Sequence, residues 1–302
     1  MPDPRDTYVT LPERGGLRLH CLDWGPSTPA GTGLIDSHGS ILLLHGLSSS
    51  AHIWDLMAPI LADEYQVIAV DQRSHGLSDR ADDGYDFANT TADIAALIRE
   101  LGLERAIVVG HSWGANVALQ LAHDYPELVR GIVLVDGGFI ERSRDATWEQ
   151  AEKEMRPPDI DGTPVERFLS FVRNFPAAKE IDPAKFETMI LSNFILRDGK
   201  VYRPLTIPNH MKIARAIFDQ RPSELLPGVK VSALIVPAIR EPQNEQEKRW
   251  QEYREKGLAA IREVRPDIRV VRMEDTVHDV PVQRPKELAE VIADFAAELA
   301  AD

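Results

Sequence analysis

Ser112 lies in Gly110-His111-Ser112-Trp113-Gly114, a spacing that suits nucleophilic chemistry. The apolar run Ala106-Ile107-Val108-Val109 before it has the character of a strand. Ala115 to His123 after it reads as a helix with Val117, Ala118, Leu121 and Ala122 on one face. A serine between strand and helix, with glycine two residues to either side, is the G-x-S-x-G arrangement of a nucleophile elbow. The glycines let strand and helix approach closely, while the serine is held in a strained backbone conformation with its hydroxyl exposed beside a helix N-terminus. A serine hydroxyl is a weak nucleophile and requires a neighbouring base. Nine histidines are available for that task.

The elements that must position such a site alternate between strand-like and helix-like runs. That pattern predicts an α/β fold, a mostly parallel central sheet with helices on both faces. Strands are expected at Leu17 to Trp24, Ser40 to Leu44, Gln66 to Val70, Ala106 to Val109, Gly131 to Val135, Val231 to Val236 and Ile268 to Met273. A helix is expected from about Phe87 to Leu101, ended by Gly102, and a closing helix from Pro285 to about Ala300. The Gly/Pro/Ser/Thr-rich stretch from Gly25 to Gly39 reads as an exposed connection.

Between Gly137 and about Pro227 the alternation stops, and only helical and irregular patterns are read, at Val165 to Phe171, Pro183 to Phe194 and Met211 to Phe218. The aromatic content there, including Phe168, Phe171, Phe186 and Phe218, is too high for a disordered insert. The expected division is a core of residues 1–137 and 228–302 with a helical lid at 138–227.

Four stretches in order resemble the α/β-hydrolase fold family over about Leu17 to Leu299. Besides the elbow, Leu42-Leu43-Leu44-His45-Gly46-Leu47 is similar to the family's His-Gly loop after its third strand. Asp71-Gln72-Arg73-Ser74-His75-Gly76-Leu77-Ser78 is similar to its D-x-R-G-H-G-x-S segment, with Ser74 where glycine is usual. Thr276-Val277-His278-Asp279 resembles the loop that delivers the catalytic histidine.

The resemblance implies the chain order Ser…acid…His, which selects His278 as the base because it alone follows the last strand. His111 is expected to point into packing, His45 to shape its own loop and His75 to be structural. The backbone N–H groups of Leu47 and Trp113 are implied as the oxyanion hole. Two positions compete for the acid. In much of the family it follows the strand after the lid, where this chain has Arg240 and then Glu241. In haloalkane dehalogenases it ends the strand after the nucleophile helix, and here that position is Asp136. Asp136 is favoured and Glu241 is the alternative. Each carboxylate also has a plain structural role open to it, Asp136 capping the start of the lid and Glu241 opening the charged helix Asn244 to Glu263.

A serine at the elbow argues against dehalogenase or epoxide-hydrolase chemistry, where the resembling families place aspartate. The implied function is a carboxylic ester hydrolase, an esterase or lactonase, for a small-molecule substrate with an apolar part. A C–C bond hydrolase or cofactor-free perhydrolase would use the same triad, and a non-catalytic ligand receptor on this fold is the alternative from another class. No cofactor and no metal is implied. A net charge of −14 argues against nucleic acid and anionic membrane surfaces as partners. The single cysteine, Cys21, excludes an intramolecular disulfide and a cysteine zinc site. No apolar run is long enough to span a membrane, and the N-terminal Met1-Pro2-Asp3-Pro4-Arg5-Asp6 carries no apolar signal segment, so a cytoplasmic location is expected.

Overall fold

The apolar runs of the sequence form the centre of an eight-stranded sheet in the computed structural model, which describes residues 3–25, 39–175, 177–179 and 181–301. In chain order the strands are β1 (Arg5–Leu11), β2 (Leu17–Asp23), β3 (Ser40–Leu44), β4 (Gln66–Val70), β5 (Ala106–His111), β6 (Val129–Val135), β7 (Ser232–Val236) and β8 (Arg269–Val270). Their spatial order is β1-β2-β4-β3-β5-β6-β7-β8. The pairings β1/β2 and β2/β4 are antiparallel and the others parallel. Most of the Gly25 to Gly39 connection, residues 26–38, lies outside the described residues.

Parallel strands covered on both faces need apolar residues at every position, and alternate residues should serve opposite layers. Leu42, Leu44 and Val108 pack on one side with the helices Phe87–Glu100 and Trp113–Asp124. Ile41, Leu43 and Val109 pack on the other with Trp54 and with Leu288, Ile292 and Phe295 of the closing helix Pro285–Ala301. Asp86 caps the helix Phe87–Glu100 by accepting from Asn89 N, and Gly102, at φ 64°, ends it in the left-handed region.

Three expectations need correction. The edge strand β1 was not anticipated, because Arg5-Asp6-Thr7-Tyr8-Val9 is polar and mostly exposed, as an edge permits. The run Ile268 to Met273 is not one strand: β8 pairs with β7, while Met273–Glu274 pairs separately with Ala238–Ile239. Pro237, which has no N–H for a ladder, sits at that break. The segment between β6 and β7 is not purely helical and irregular. Beside the helices Trp148–Met155, Val165–Val172, Pro183–Leu191 and Ile207–Asp219 it holds a small sheet of Thr163–Pro164, Lys200–Tyr202 and Ile195–Arg197. The two-residue turn Asp198-Gly199, both at positive φ, is the hairpin signal that closes it.

Candidate active site

The elbow is built from close backbone approaches. Ser112 has φ 54° and ψ −120°, a conformation that costs about 1–3 kcal/mol for a residue with a side chain. It is held there by Ser112 N donating to Val135 O at 2.9 Å and by Ala115 N donating to Ser112 O at 3.0 Å. A Cβ on Gly110 would lie 2.2 Å from Gly114 O, and one on Gly114 would lie 2.2 Å from Leu44 O. Only glycine fits at either position.

The adjacent strand β6 is followed directly by Asp136, which has φ 44° and is buried. His278 Nδ1 donates to Asp136 Oδ2 at 2.6 Å. Arg254, from the helix Glu245–Val264, grips the same carboxylate with Nε to Oδ1 at 2.7 Å and Nη2 to Oδ2 at 2.6 Å. Ala238 N, just past Pro237, also donates to Oδ1 at 3.1 Å, so the break after β7 serves this carboxylate. Burial opposes the Asp136 charge, but the His278 and Arg254 bonds outweigh it and hold the carboxyl well below the usual range. For His278, burial opposes protonation, the Asp136 bond and charge favour it, and the net shift is upward from 6.5. Its side chain is 48% exposed, whereas Asp136 has none of its side chain exposed. Glu241, by contrast, is exposed, and its neighbour Arg240 pairs with Glu247 at 2.6 Å. The structure brings Asp136 to His278 and leaves Glu241 apart from that bond.

The remaining histidines of the motifs are framework. His45 Nδ1 donates to Gly46 O at 2.7 Å, and its Nε2 accepts from Gln72 N at 3.0 Å, tying the His-Gly loop to the Asp71 segment. His75 Nδ1 donates to Arg73 O and its Nε2 accepts from Ser48 N at 3.2 Å, just past Leu47. The His75 ring stacks on Trp113 with centroids 5.3 Å apart. Burial, then the charge of His45, pushes His75 down to about 3, so it stays neutral. Ser74 has φ 64°, which is why glycine is usual there, and its hydroxyl is fixed against Tyr85 at 2.8 Å. His111 is buried, as expected, but it also donates from Nε2 to the backbone O of His278 at 2.8 Å. Among the described residues, the backbone N–H groups of Leu47 and Trp113 have no protein acceptor.

Leu47, Ser112, Trp113, Asp136 and His278 line one cavity of about 360 Å³. Apolar wall is supplied by Ile140, Met155, Ile217 and Trp250, with Arg142 and Arg254 among them. Sequence reasoning missed both arginines: Arg254 was hidden in a helix with charges all along it, although it lies one turn after Trp250. Among the described residues no group of three or more His, Cys, Asp or Glu could hold a metal, and no helix is long and apolar enough to cross a membrane.

A family model described as the alpha/beta hydrolase fold matches residues 39–198, more than half of the chain, and the chain belongs to that family. It is similar to 2-(acetamidomethylene)succinate hydrolase of Mesorhizobium japonicum, 44% identical over 96 residues that cover 32% of this chain and 34% of that protein. It is also similar to epoxide hydrolase 1 of Caenorhabditis elegans, 36% identical over 152 residues that cover 48% of this chain and 34% of that protein. These matches span about a third of the relatives' length. The solved structure of E-2-(acetamidomethylene)succinate hydrolase superposes with a TM-score of 0.74 at 24% identity, over 96% of this chain and 99% of that one, a likeness of fold.

Proposed function

We propose that this α/β-hydrolase-fold chain is a serine hydrolase of carboxylic esters or lactones, working through an acyl-enzyme on Ser112. With Nδ1 of His278 bonded to Asp136, the free Nε2 takes the Ser112 proton as Oγ attacks the carbonyl. The Leu47 and Trp113 amides receive the oxyanion. Collapse expels the alcohol, protonated by His278, and a water activated by the same nitrogen releases the acid. The segment 138–227 acts as the lid that contributes Ile140, Met155 and Ile217 to the apolar wall. The observation that supports this best is the 2.6 Å bond from His278 to Asp136 beside a cavity that Ser112 also lines.

The test is a screen of p-nitrophenyl esters, thioesters and lactones with the wild-type chain and Ser112→Ala. Wild type is expected to release p-nitrophenol and to gain the acyl mass on Ser112. Ser112→Ala is expected to stay folded and lose on the order of 10⁴-fold or more in rate. No turnover of any of these substrates, or equal turnover by folded Ser112→Ala, would reject the reading. Thermal stabilisation by an ester without turnover would favour a receptor instead.

A further inference from the structure

The cavity that Ser112 and His278 line has a further polar residue, Asn116, whose side-chain orientation is fixed from outside it. Asn116 lies on the helix Trp113–Asp124, one turn or about 6 Å beyond Ser112. It is buried against Gln220, the residue that directly follows the helix Ile207–Asp219. Asn116 Nδ2 donates to Gln220 Oε1 at 2.7 Å, and Gln220 Nε2 donates back to Asn116 O at 3.1 Å. Gln220 Nε2 also donates to Gln120 Oε1 at 3.3 Å, and Gln120 Nε2 donates to the two Asp124 carboxylate oxygens at 3.2 and 3.0 Å.

This chain of amides leaves each one a single orientation. An ionised carboxylate and a backbone carbonyl can only accept, so the Gln120 nitrogen must face Asp124 and the Gln220 nitrogen must face Asn116 O. The Gln220 oxygen is then the atom that meets the Asn116 side chain, and it needs a nitrogen there. A turned Asn116 amide would set two oxygens against each other. Asn116 Oδ1 is therefore the atom left over. It receives no hydrogen bond among the described residues, and it is not sealed from water as Arg142 Nε and Nη1 are.

The neighbouring carboxylate, Asp136, has both oxygens occupied. Apart from Ser112 Oγ and His278 Nε2, Asn116 Oδ1 is the open side-chain oxygen or nitrogen acceptor among the described residues of this cavity, in a wall otherwise given by Ile140, Met155, Ile217 and Trp250. Such an acceptor discriminates. A ligand with an N–H or O–H donor satisfies it, whereas an apolar group of the same shape displaces water from it and leaves it unpaired.

We propose that Asn116 is a specificity-determining residue, and that the substrate carries an N–H or O–H donor in its acyl part, bonded to Asn116 Oδ1 while the carbonyl lies at Ser112. The acyl part stays on Ser112 through both half-reactions, so an acceptor one turn along the same helix serves each of them. Gln220 acts as the positioning residue that keeps the oxygen, not the amine, of Asn116 toward the ligand. This rests on the serine-hydrolase reading for the position of the scissile bond.

The experiment uses two isosteric pairs of p-nitrophenyl esters: N-acetyl-β-alaninate against 5-oxohexanoate, which differ by NH against CH2, and 3-hydroxybutanoate against 3-methylbutanoate, which differ by OH against CH3. Each kcat/KM is divided by the same ester's hydroxide rate. Wild type is expected to favour the donor-bearing member of at least one pair by about tenfold, and the pair that responds tells an amide from a hydroxyl. Asn116→Leu is expected to bring that ratio to within about twofold of unity. Gln220→Met, which leaves Asn116 in place but frees its amide to turn, is expected to lower the ratio part of the way, a change of selectivity that a merely structural role for Gln220 would not produce. Ratios near unity for both pairs in wild type, or a preference that survives in folded Asn116→Leu, would overturn the assignment and leave the hydrolase reading intact. Should none of the four esters be turned over, the hydrolase reading fails and calorimetry decides the subsite, with folded Ser112→Ala and the methyl esters of the same four acids. Tighter binding of a donor-bearing member then supports it, and equal or absent binding within both pairs overturns it.

Discussion

Arg254 and Asp136 form a two-point pair, Nε to Oδ1 at 2.7 Å and Nη2 to Oδ2 at 2.6 Å, on the carboxylate that also receives His278 Nδ1. The pair fixes the carboxylate plane and so the bond to His278. It also sets a permanent cation close to the His278 ring, and that cation opposes protonation of His278. Arg254 therefore orients the Asp136 carboxylate and weakens its pull on His278 at once.

Arg254→Met should move the acid limb of the kcat/KM profile to higher pH, because the cation that disfavours the imidazolium is gone. Arg254→Lys, which keeps the charge but not the fork, should move it less. A merely structural role for Arg254 would lower activity without moving the limb, so an unmoved limb in a folded variant counts against this one.

The wild-type profile has its own sign. In the proposed mechanism His278 must be neutral to accept the Ser112 proton, and its pKa lies above the ordinary 6.5. Activity should rise with pH through that raised value. The His278 contribution to stability runs the opposite way: it is fully present below the unfolded pKa of 6.5 and is lost as pH rises through the folded one. Rates and melting temperatures measured across pH 5 to about 9, in wild type and His278→Ala, check both. A flat rate profile would exclude His278 as the base.

Asp136→Asn should lower kcat by on the order of 10²–10⁴-fold, since the amide cannot hold the tautomer or stabilise the imidazolium. Glu241→Gln should change it by less than about tenfold, because Glu241 is exposed and outside the His278 bond. Steady-state rates on one ester decide, and the reverse ranking would restore Glu241 as the acid.

Gly114→Ala should cost at least about 3 kcal/mol of stability, because its Cβ would lie 2.2 Å from the backbone oxygen of Leu44, which cannot yield as a flexible side chain could. Denaturant unfolding measures it. A loss under about 1 kcal/mol would mean that the elbow is looser than described.

The parts of this molecule legible in sequence are those where one residue type has one physical reason to be present. The runs at Ser40–Leu44 and Gln66–Val70 read true to the residue because Ile41 to Leu44 and Val67 to Val70 are unbroken apolar runs, as strands buried on both faces require. Ser112 was readable because Gly110 and Gly114 admit no side chain. Strand β1 was not, since an edge strand needs apolar residues on one face only and its pattern merges with loop composition. Asp198-Gly199 was a readable turn signal that was passed over amid helical patterns. Arg142 and Arg254 were illegible for another reason: among 34 lysines and arginines, nothing local separates a solvated charge from one that the fold turns inward.

The placement of Asp136 has a consequence for how the chain can be divided. Ser112 and Asp136 directly follow neighbouring strands and both precede the 138–227 segment, whereas Arg254 and His278 follow it. A break in the backbone at the exposed Asp198-Gly199 turn would leave Ser112 and Asp136 on one fragment and His278 with Arg254 on the other. Under the proposed function neither fragment holds a complete relay, so recovered turnover would report that the two halves had found each other.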